Sequence, residues 1–124
     1  MQLRKPYLLF LGDVRVAIDA KTAFGLRDWC RDDVIGEWSL PEASVTLGLP
    51  RYSPAEAAAR GAGSLVIGVA SFGGLLPEPW FGEIEAALDA GLDVVSAMHA
   101  PLADIPRFAA AASRGGGRLM DVRQ

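Results

Sequence analysis

A chain of 124 residues is long enough to bury the core of one domain, and 51% hydrophobic against 22% charged residues excludes a disordered chain. The net charge of −3 and the pI near 5.0 argue against a nucleic-acid partner, because no cluster of Lys or Arg stands out. No apolar run approaches the ~20 residues of a membrane span, so we expect a cytoplasmic protein without a membrane partner.

Short apolar runs without polar alternation predict strands that are buried on both faces, as in a parallel sheet. Such runs occupy residues 7–11, 34–39, 65–70, 92–98 and 118–122, and a further short strand is possible at 44–47. The run 65–70 ends in a small, glycine-rich turn, Ser71–Gly74, and we expect it in the middle of the sheet.

Helices are predicted between these strands. They cover residues 20–31, a short segment from Pro54 to Gly61, residues 79–90 and residues 106–114. Asp19 is the candidate N-cap of the first helix, and Cys30, the single cysteine, is predicted as a buried thiol on it. Ser53 and Glu56 have the spacing of a capping box, with Pro54 at the first helical position.

The alternation of strand and helix predicts an α/β fold. We expect a Rossmann-like three-layer sandwich with a mostly parallel sheet of about five strands, formed by residues 1–124 as one domain. In such folds, ligands bind beyond the carboxyl ends of the strands, so the loops at that edge hold the candidate site residues.

His99 follows a predicted strand directly and is the only histidine. It is a candidate general acid or base near neutral pH, or equally a loop residue bonded to a backbone carbonyl. With one His and one Cys, no His- or Cys-based metal site can form within the chain, and we predict no metal ligand.

Seven further residues at this edge are candidates for binding a ligand. Gly73 and Gly74 let backbone amides approach an anion, or merely form a tight turn, and Lys21 and Thr22 lie near a helix N-terminus. The full set is Gly12, Lys21, Thr22, Gly73, Gly74, Asp121 and Arg123. Asp121 and Arg123 also suit a structural ion pair at the end of the last strand.

Two nucleotide-binding motifs are missing. After Gly12 the sequence lacks the G-x-G-x-x-G pattern of dinucleotide-binding folds, and Lys21-Thr22 lacks the glycine frame of a P-loop. An NAD-dependent oxidoreductase is therefore disfavoured. The residues by themselves predict an edge that binds a small anionic molecule.

The order of several segments resembles one known family. LFLG, AKTAFGLRDW, VIGVASFGGLLPEPW, ALDAGLDVVSAMH and RLMDVR together are similar to the family catalogued as domain of unknown function 1611. Its better-understood members are D-glutamate N-acetyltransferases. Members pair an N-terminal Rossmann-like domain with a C-terminal P-loop domain, and this chain resembles the first half only.

The resemblance implies a partner and a reaction. The partner is the C-terminal P-loop domain, and the reaction is acetylation of D-glutamate or a related amino acid by acetyl-CoA. The loop for the phosphates of acetyl-CoA or a nucleotide would lie in that second domain, so we expect no cofactor held by this chain alone and no activity from it alone. The alternative is a free-standing binding or homo-oligomerisation module, with Trp38, Phe72 and Trp80 as an exposed apolar patch.

Overall fold

Five parallel strands form one sheet in the computed structural model, which describes residues 2–98 and 101–122. The strands are β1 Tyr7–Phe10, β2 Val34–Trp38, β3 Ser64–Ile67, β4 Asp93–Ser96 and β5 Leu119–Asp121. Their order across the sheet is β2-β1-β3-β4-β5. The prediction of a parallel sheet of about five strands is confirmed, and β3 is its central strand.

Four helices cover the sheet: α1 Lys21–Trp29, α2 Pro54–Ala59, α3 Phe81–Asp89 and α4 Pro106–Gly115. Helix α3 packs against α2 and α4. Helix α1 connects β1 to β2 in the direction opposite to the later connections, so a right-handed crossover places it on the other face. The result is the expected Rossmann-like sandwich of three layers.

The core follows from the apolar runs of the sequence. All four residues of β1, of β3 and of β4 are buried. Leu8, Leu65, Val94 and Leu119 stand side by side across four strands. Because both faces of these strands are covered by helices, the strands need no polar alternation.

Asp93 ties the amino-terminal edge of the sheet together. Its carboxylate is fully buried and accepts hydrogen bonds from the backbone N–H of Arg118 at 2.8 Å and from its Nη2 at 2.7 Å. This hydrogen bond raises the pKa of Arg118. The pair has a structural role at the edge opposite to the predicted site.

Two predictions about the first helix are wrong. Asp19 makes no capping hydrogen bond, because it lies inside a 3-10 turn, Ala17–Ala20, and Ala20 takes the N-cap position. Cys30 follows the last residue of α1 and is half-buried. It is therefore neither within the helix nor a core thiol.

Residues 44–47 do not form a strand, because the buried carboxylate of Glu37 takes their hydrogen bonds. Its Oε1 accepts from the backbone N–H of Leu47 at 2.8 Å and of Leu49 at 3.0 Å, and Thr46 donates its hydroxyl to the same group. Helix α3 starts at Phe81 instead of Pro79, since a 3-10 turn, Glu78–Trp80, precedes it. Within the described ranges, no helix is long and apolar enough to cross a membrane.

Candidate functional site

A cavity of about 340 Å³ opens at the carboxyl ends of β3 and β4. The chain leaves β1 towards β2 and later returns to the other side of β1 as β3, so the direction of winding reverses between these two strands. Open α/β sheets bind their ligands at such a point. The volume lies within the range of small-molecule sites, near its lower end.

Three segments line this cavity. The segment after β1 contributes Ile18, Asp19, Lys21 and Thr22; the end of β3 and the turn after it contribute Ile67, Val69, Ala70, Ser71 and Gly74; and the end of β4 contributes Ala97 and Met98. Among these lining residues, Asp19 and Lys21 carry the charges, and Thr22 and Ser71 carry hydroxyls. Both charged residues come from the segment after β1, which forms the charged side of the cavity, and the lining from β3 and β4 is mostly apolar.

A close contact between Gly68 and Ala23 positions the charged side. The backbone N–H of Ala23 donates to the carbonyl of Gly68 at 3.0 Å, and the N–H of Ala70 donates to the carbonyl of Asp19 at 2.8 Å. A Cβ on Gly68 would stand 2.7 Å from the Cβ of Ala23, closer than carbon atoms tolerate. Glycine at 68 thus lets the first turn of α1 approach the end of β3.

The turn after β3 closes a second side of the cavity. Gly73 and Gly74 both have φ of +72°, in the left-handed region that side chains rarely adopt. The hydroxyl of Ser71 donates to the carbonyl of Leu75, and the N–H of Gly74 donates to the carbonyl of Ser71 at 3.1 Å. The glycine pair is therefore required by the shape of the turn, whatever it binds.

The structure brings together three of the predicted binding residues. Lys21, Thr22 and Gly74 all line the cavity, and Gly73 is exposed next to Gly74. Gly12 is elsewhere: its φ is +57°, and a Cβ there would stand 2.5 Å from the ring of Trp80. The close approach of this indole accounts for glycine at position 12.

Asp121 lies at the end of β5 and makes a structural contact. Its two carboxylate oxygens accept from the backbone N–H of Leu102 at 2.9 and 3.1 Å, which binds the loop after β4 to the last strand. His99 and Arg123 lie outside the described residues. Their assigned roles stay predictions.

Several lining residues of the cavity were not among the predicted site residues. Ala97 and Met98 were part of a predicted strand, and β4 in fact ends at Ser96, which releases both to the cavity. Ile18 carried no signal, since an isolated apolar residue in a loop has no periodicity. Asp19 was predicted only as the N-cap of the first helix, and it lines the cavity.

The predicted patch of exposed aromatic residues is wrong. Trp80 is only 1% exposed: it packs edge-on against Phe10, and its Nε1 donates to Asp13 at 2.9 Å. Trp38 is half-buried and donates its Nε1 to Glu83. The side chain of Phe72 lies outside the described part of the structure.

Comparison with known proteins identifies the family. The family described as "Domain of unknown function (DUF1611_N) Rossmann-like domain" matches residues 38–124. The chain belongs to the DUF1611 family. It is 45% identical over 121 residues to a D-glutamate N-acetyltransferase of Tritonibacter scottomollicae, a match that covers 98% of this chain and 36% of the relative.

Other relatives agree with this assignment. A D-glutamate N-acetyltransferase of a Pseudoalteromonas species is 35% identical over 99% of this chain and 37% of its own length. A crystal structure of a DUF1611 family protein from Anabaena variabilis ATCC 29413 superposes with a TM-score of 0.76 at 27% identity, over 100% of this chain and 38% of that one. The DUF1611 domain described here thus spans little more than a third of these relatives.

A more distant structure shares the fold alone. Homoserine dehydrogenase of S. aureus has a TM-score of 0.52 at 15% identity, over 98% of this chain and 33% of that one.

Within residues 2–98 and 101–122, no three His, Cys, Asp or Glu side chains come close enough to hold a metal ion.

Proposed function

We propose that this chain is the Rossmann-like domain of a D-glutamate N-acetyltransferase-like protein and that its cavity holds the amino-acid substrate. The observation that carries the proposal is the cavity at the switch point of the sheet, with Lys21 and Asp19 on one side. The names of two relatives that align along nearly the whole chain supply the reaction.

The lining suits a small, charged amino acid. Glutamate carries two carboxylates and one ammonium group at neutral pH. The ammonium of Lys21 attracts a substrate carboxylate, and the hydroxyl of Thr22 offers a further donor. The hydroxyl of Ser71 already donates its proton to the carbonyl of Leu75, so its oxygen is left to act as an acceptor. This oxygen and the carboxylate of Asp19 would accept hydrogen bonds from the substrate ammonium.

The reaction itself needs groups for moving protons. The substrate amine loses a proton and attacks the thioester carbonyl, an N–C bond forms, the C–S bond breaks, and the leaving thiolate takes up a proton. We propose His99 for a proton-transfer role: it follows Met98, which lines the cavity, and lies outside the described residues. Lys21 and Thr22 bind and orient the substrate.

The volume of the cavity supports a proposal about where each of the two substrates binds. An open cavity of about 340 Å³ suits a molecule the size of glutamate, whereas the larger acetyl-CoA with its nucleotide would extend beyond it. We propose that the donor binds mainly to a further domain of a longer protein, the C-terminal P-loop domain that the family resemblance implies. This chain alone would then bind the amino acid without acetylating it.

The test uses the full-length protein with D-glutamate and acetyl-CoA, and follows thiol release and the mass of the N-acetylated product. Lys21→Ala should raise KM for D-glutamate by about tenfold or more, since a hydrogen bond to a charged group contributes about 1.5–3 kcal/mol. Lys5→Ala is the matched control, because Lys5 is the other lysine of the chain and pairs with Asp33 at 3.2 Å, away from the cavity.

Three results would overturn the proposal. An unchanged KM in Lys21→Ala would show that the substrate lies elsewhere. Acetylation of D-glutamate by this chain alone would show that the donor needs no further domain. Equal loss of activity in Lys5→Ala and Lys21→Ala would also contradict it, because both changes would then act through stability.

A further inference from the structure

Exposed apolar side chains concentrate around the mouth of the cavity. The large hydrophobic residues that the described part of the chain exposes are Val16 at 52%, Ile18 at 66%, Leu75 at 62% and Trp29 at 88%. Ile18 lines the cavity itself, Val16 lies two residues before it, and Leu75 follows the lining residue Gly74. Single exposed apolar residues are ordinary, but a group of them beside a cavity is typical of a contact surface.

Hydrogen bonds fix the backbone of the two segments that carry these residues. The N–H of Asp19 donates to the carbonyl of Val16 at 3.2 Å, and the N–H of Ala70 donates to the carbonyl of Asp19 at 2.8 Å. On the other side of the mouth, Leu75 accepts the hydroxyl of Ser71. The exposure is therefore a property of the folded domain.

We infer that Val16, Ile18 and Leu75, here called the rim, are the surface on which the remaining part of a longer protein rests. This inference depends on the proposed function, in which the acetyl donor is bound by that remaining part. The donor must reach the amino acid through the mouth of the cavity, beside which the rim lies, so the part that carries the donor has to lie over it. The length needed exists in the relatives, of which this chain covers 36% and 37%.

A second copy of this chain is a poorer occupant. It would place one cavity mouth against another and bring no site for the thioester donor, whose bulk does not fit in about 340 Å³. Trp29 is no part of the rim, because it lies at the last residue of α1, whereas the cavity is lined from the first turn of that helix. Trp29 therefore serves as an internal control.

Hydroxyl-radical footprinting with mass spectrometry tests the rim directly, because it reports the exposure of individual side chains. It is applied to the full-length protein and to this chain alone, whose sheet and core form within the described residues. In the full-length protein, oxidation of Ile18 and Leu75 should fall roughly fivefold or more, as expected of side chains in an interface core. Oxidation of Trp29 should be equal in the two samples.

A substitution in the rim tests whether its residues belong to one contact surface. In the full-length protein, Ile18→Asp should restore oxidation of Leu75 to the level seen in this chain alone, because an aspartate in an apolar interface loses its hydration. Trp29→Asp is the matched control and should leave Leu75 protected. Thermal unfolding of each variant shows that the domain itself stays folded.

The outcomes separate this inference from the proposed function. Footprinting needs no turnover, so a protected rim in a protein that fails to acetylate D-glutamate refutes the function and supports the contact. Equal oxidation of Ile18 and Leu75 in both samples overturns the contact, even in an active enzyme. A rim that is protected only at high concentration, with dimers in sedimentation analysis, or a reading frame that ends at Gln124, likewise overturns it.

Discussion

Adding one methyl group at Gly68 should test how the candidate site is assembled. In Gly68→Ala the new Cβ would stand 2.7 Å from the Cβ of Ala23, 3.0 Å from its Cα and 3.1 Å from its backbone nitrogen. Two of these atoms are backbone, so rotation of a side chain cannot relieve the contact. Helix α1 must move away from the end of β3, and with it Lys21 and Thr22.

The expected cost can be worked from these contacts. Inserting a methyl group into a packed site costs about 1–3 kcal/mol, and replacing glycine by alanine returns up to about 1 kcal/mol from the unfolded chain. With about 2 kcal/mol for the methyl group, since the contact is with backbone atoms, and about 0.5–1 kcal/mol returned, the net loss is about 1–1.5 kcal/mol. This corresponds to a fall in Tm of about 4–6 °C for a domain of this size. Because the first turn of α1 moves, KM for the substrate should rise as well.

The assay is thermal and urea unfolding of four variants. Ala23→Gly removes the opposing Cβ, so the double variant should be less destabilised than the sum of the two single changes by about 1 kcal/mol. Gly25→Ala is the control on the same helix: nothing lies within 4 Å of its new Cβ, and it should be stabilising by about 0.5–1 kcal/mol. A Gly68→Ala variant as stable as the parent, or additive effects with Ala23→Gly, would refute the argument.

Two further predictions concern acid stability and the histidine. Hydrogen bonds from the backbone and side chain of Ser53 lower the pKa of Glu56 from its ordinary 4.5. The ionised Glu56 therefore stabilises the fold above its unfolded-state pKa, and this stabilisation is lost as the pH falls through its folded-state pKa. The Tm advantage of the parent over Glu56→Gln should therefore shrink between about pH 5 and pH 3, and a constant difference would contradict the capping role. His99→Ala in the full-length protein should lower kcat by about 10²–10⁴ with an unchanged Tm; full activity, or loss of the fold, would make His99 a structural loop residue.

Local chemistry determined the elements of the fold. The apolar runs predicted all five strands, because a strand covered on both faces has to be apolar throughout. Four of them lie within one or two residues of their expected bounds, and β3 ends at Ile67, three residues earlier than predicted. The capping box of α2 was also predictable: Ser53 N donates to Glu56 at 2.8 Å, and Glu56 N donates to the Ser53 hydroxyl at 3.2 Å. Both signals involve residues that are close in sequence.

Only part of the candidate site could be predicted from residues that are close in sequence. Lys21, Thr22 and Gly74 were expected at the ligand edge, since the carboxyl ends of parallel strands share one edge. Gly12 was expected there too, but the ring of Trp80 lies against it. Asp121 was expected at the site and instead holds the backbone of Leu102. Trp80 and Leu102 are distant in sequence from the residues that they contact, so no local pattern predicts these two contacts.

The sequence by itself determined the class of fold, the central strand β3 and the edge at which a ligand would bind, because hydrophobic periodicity and turn chemistry act over a few residues. Tertiary structure alone decided which residues of that edge form one cavity. The contact of Gly68 with Ala23 is an example: it joins residues 45 positions apart in sequence, and it sets where the charged side of the cavity stands. Close packing between residues so far apart in sequence depends on the whole sheet, so a local residue pattern does not predict it.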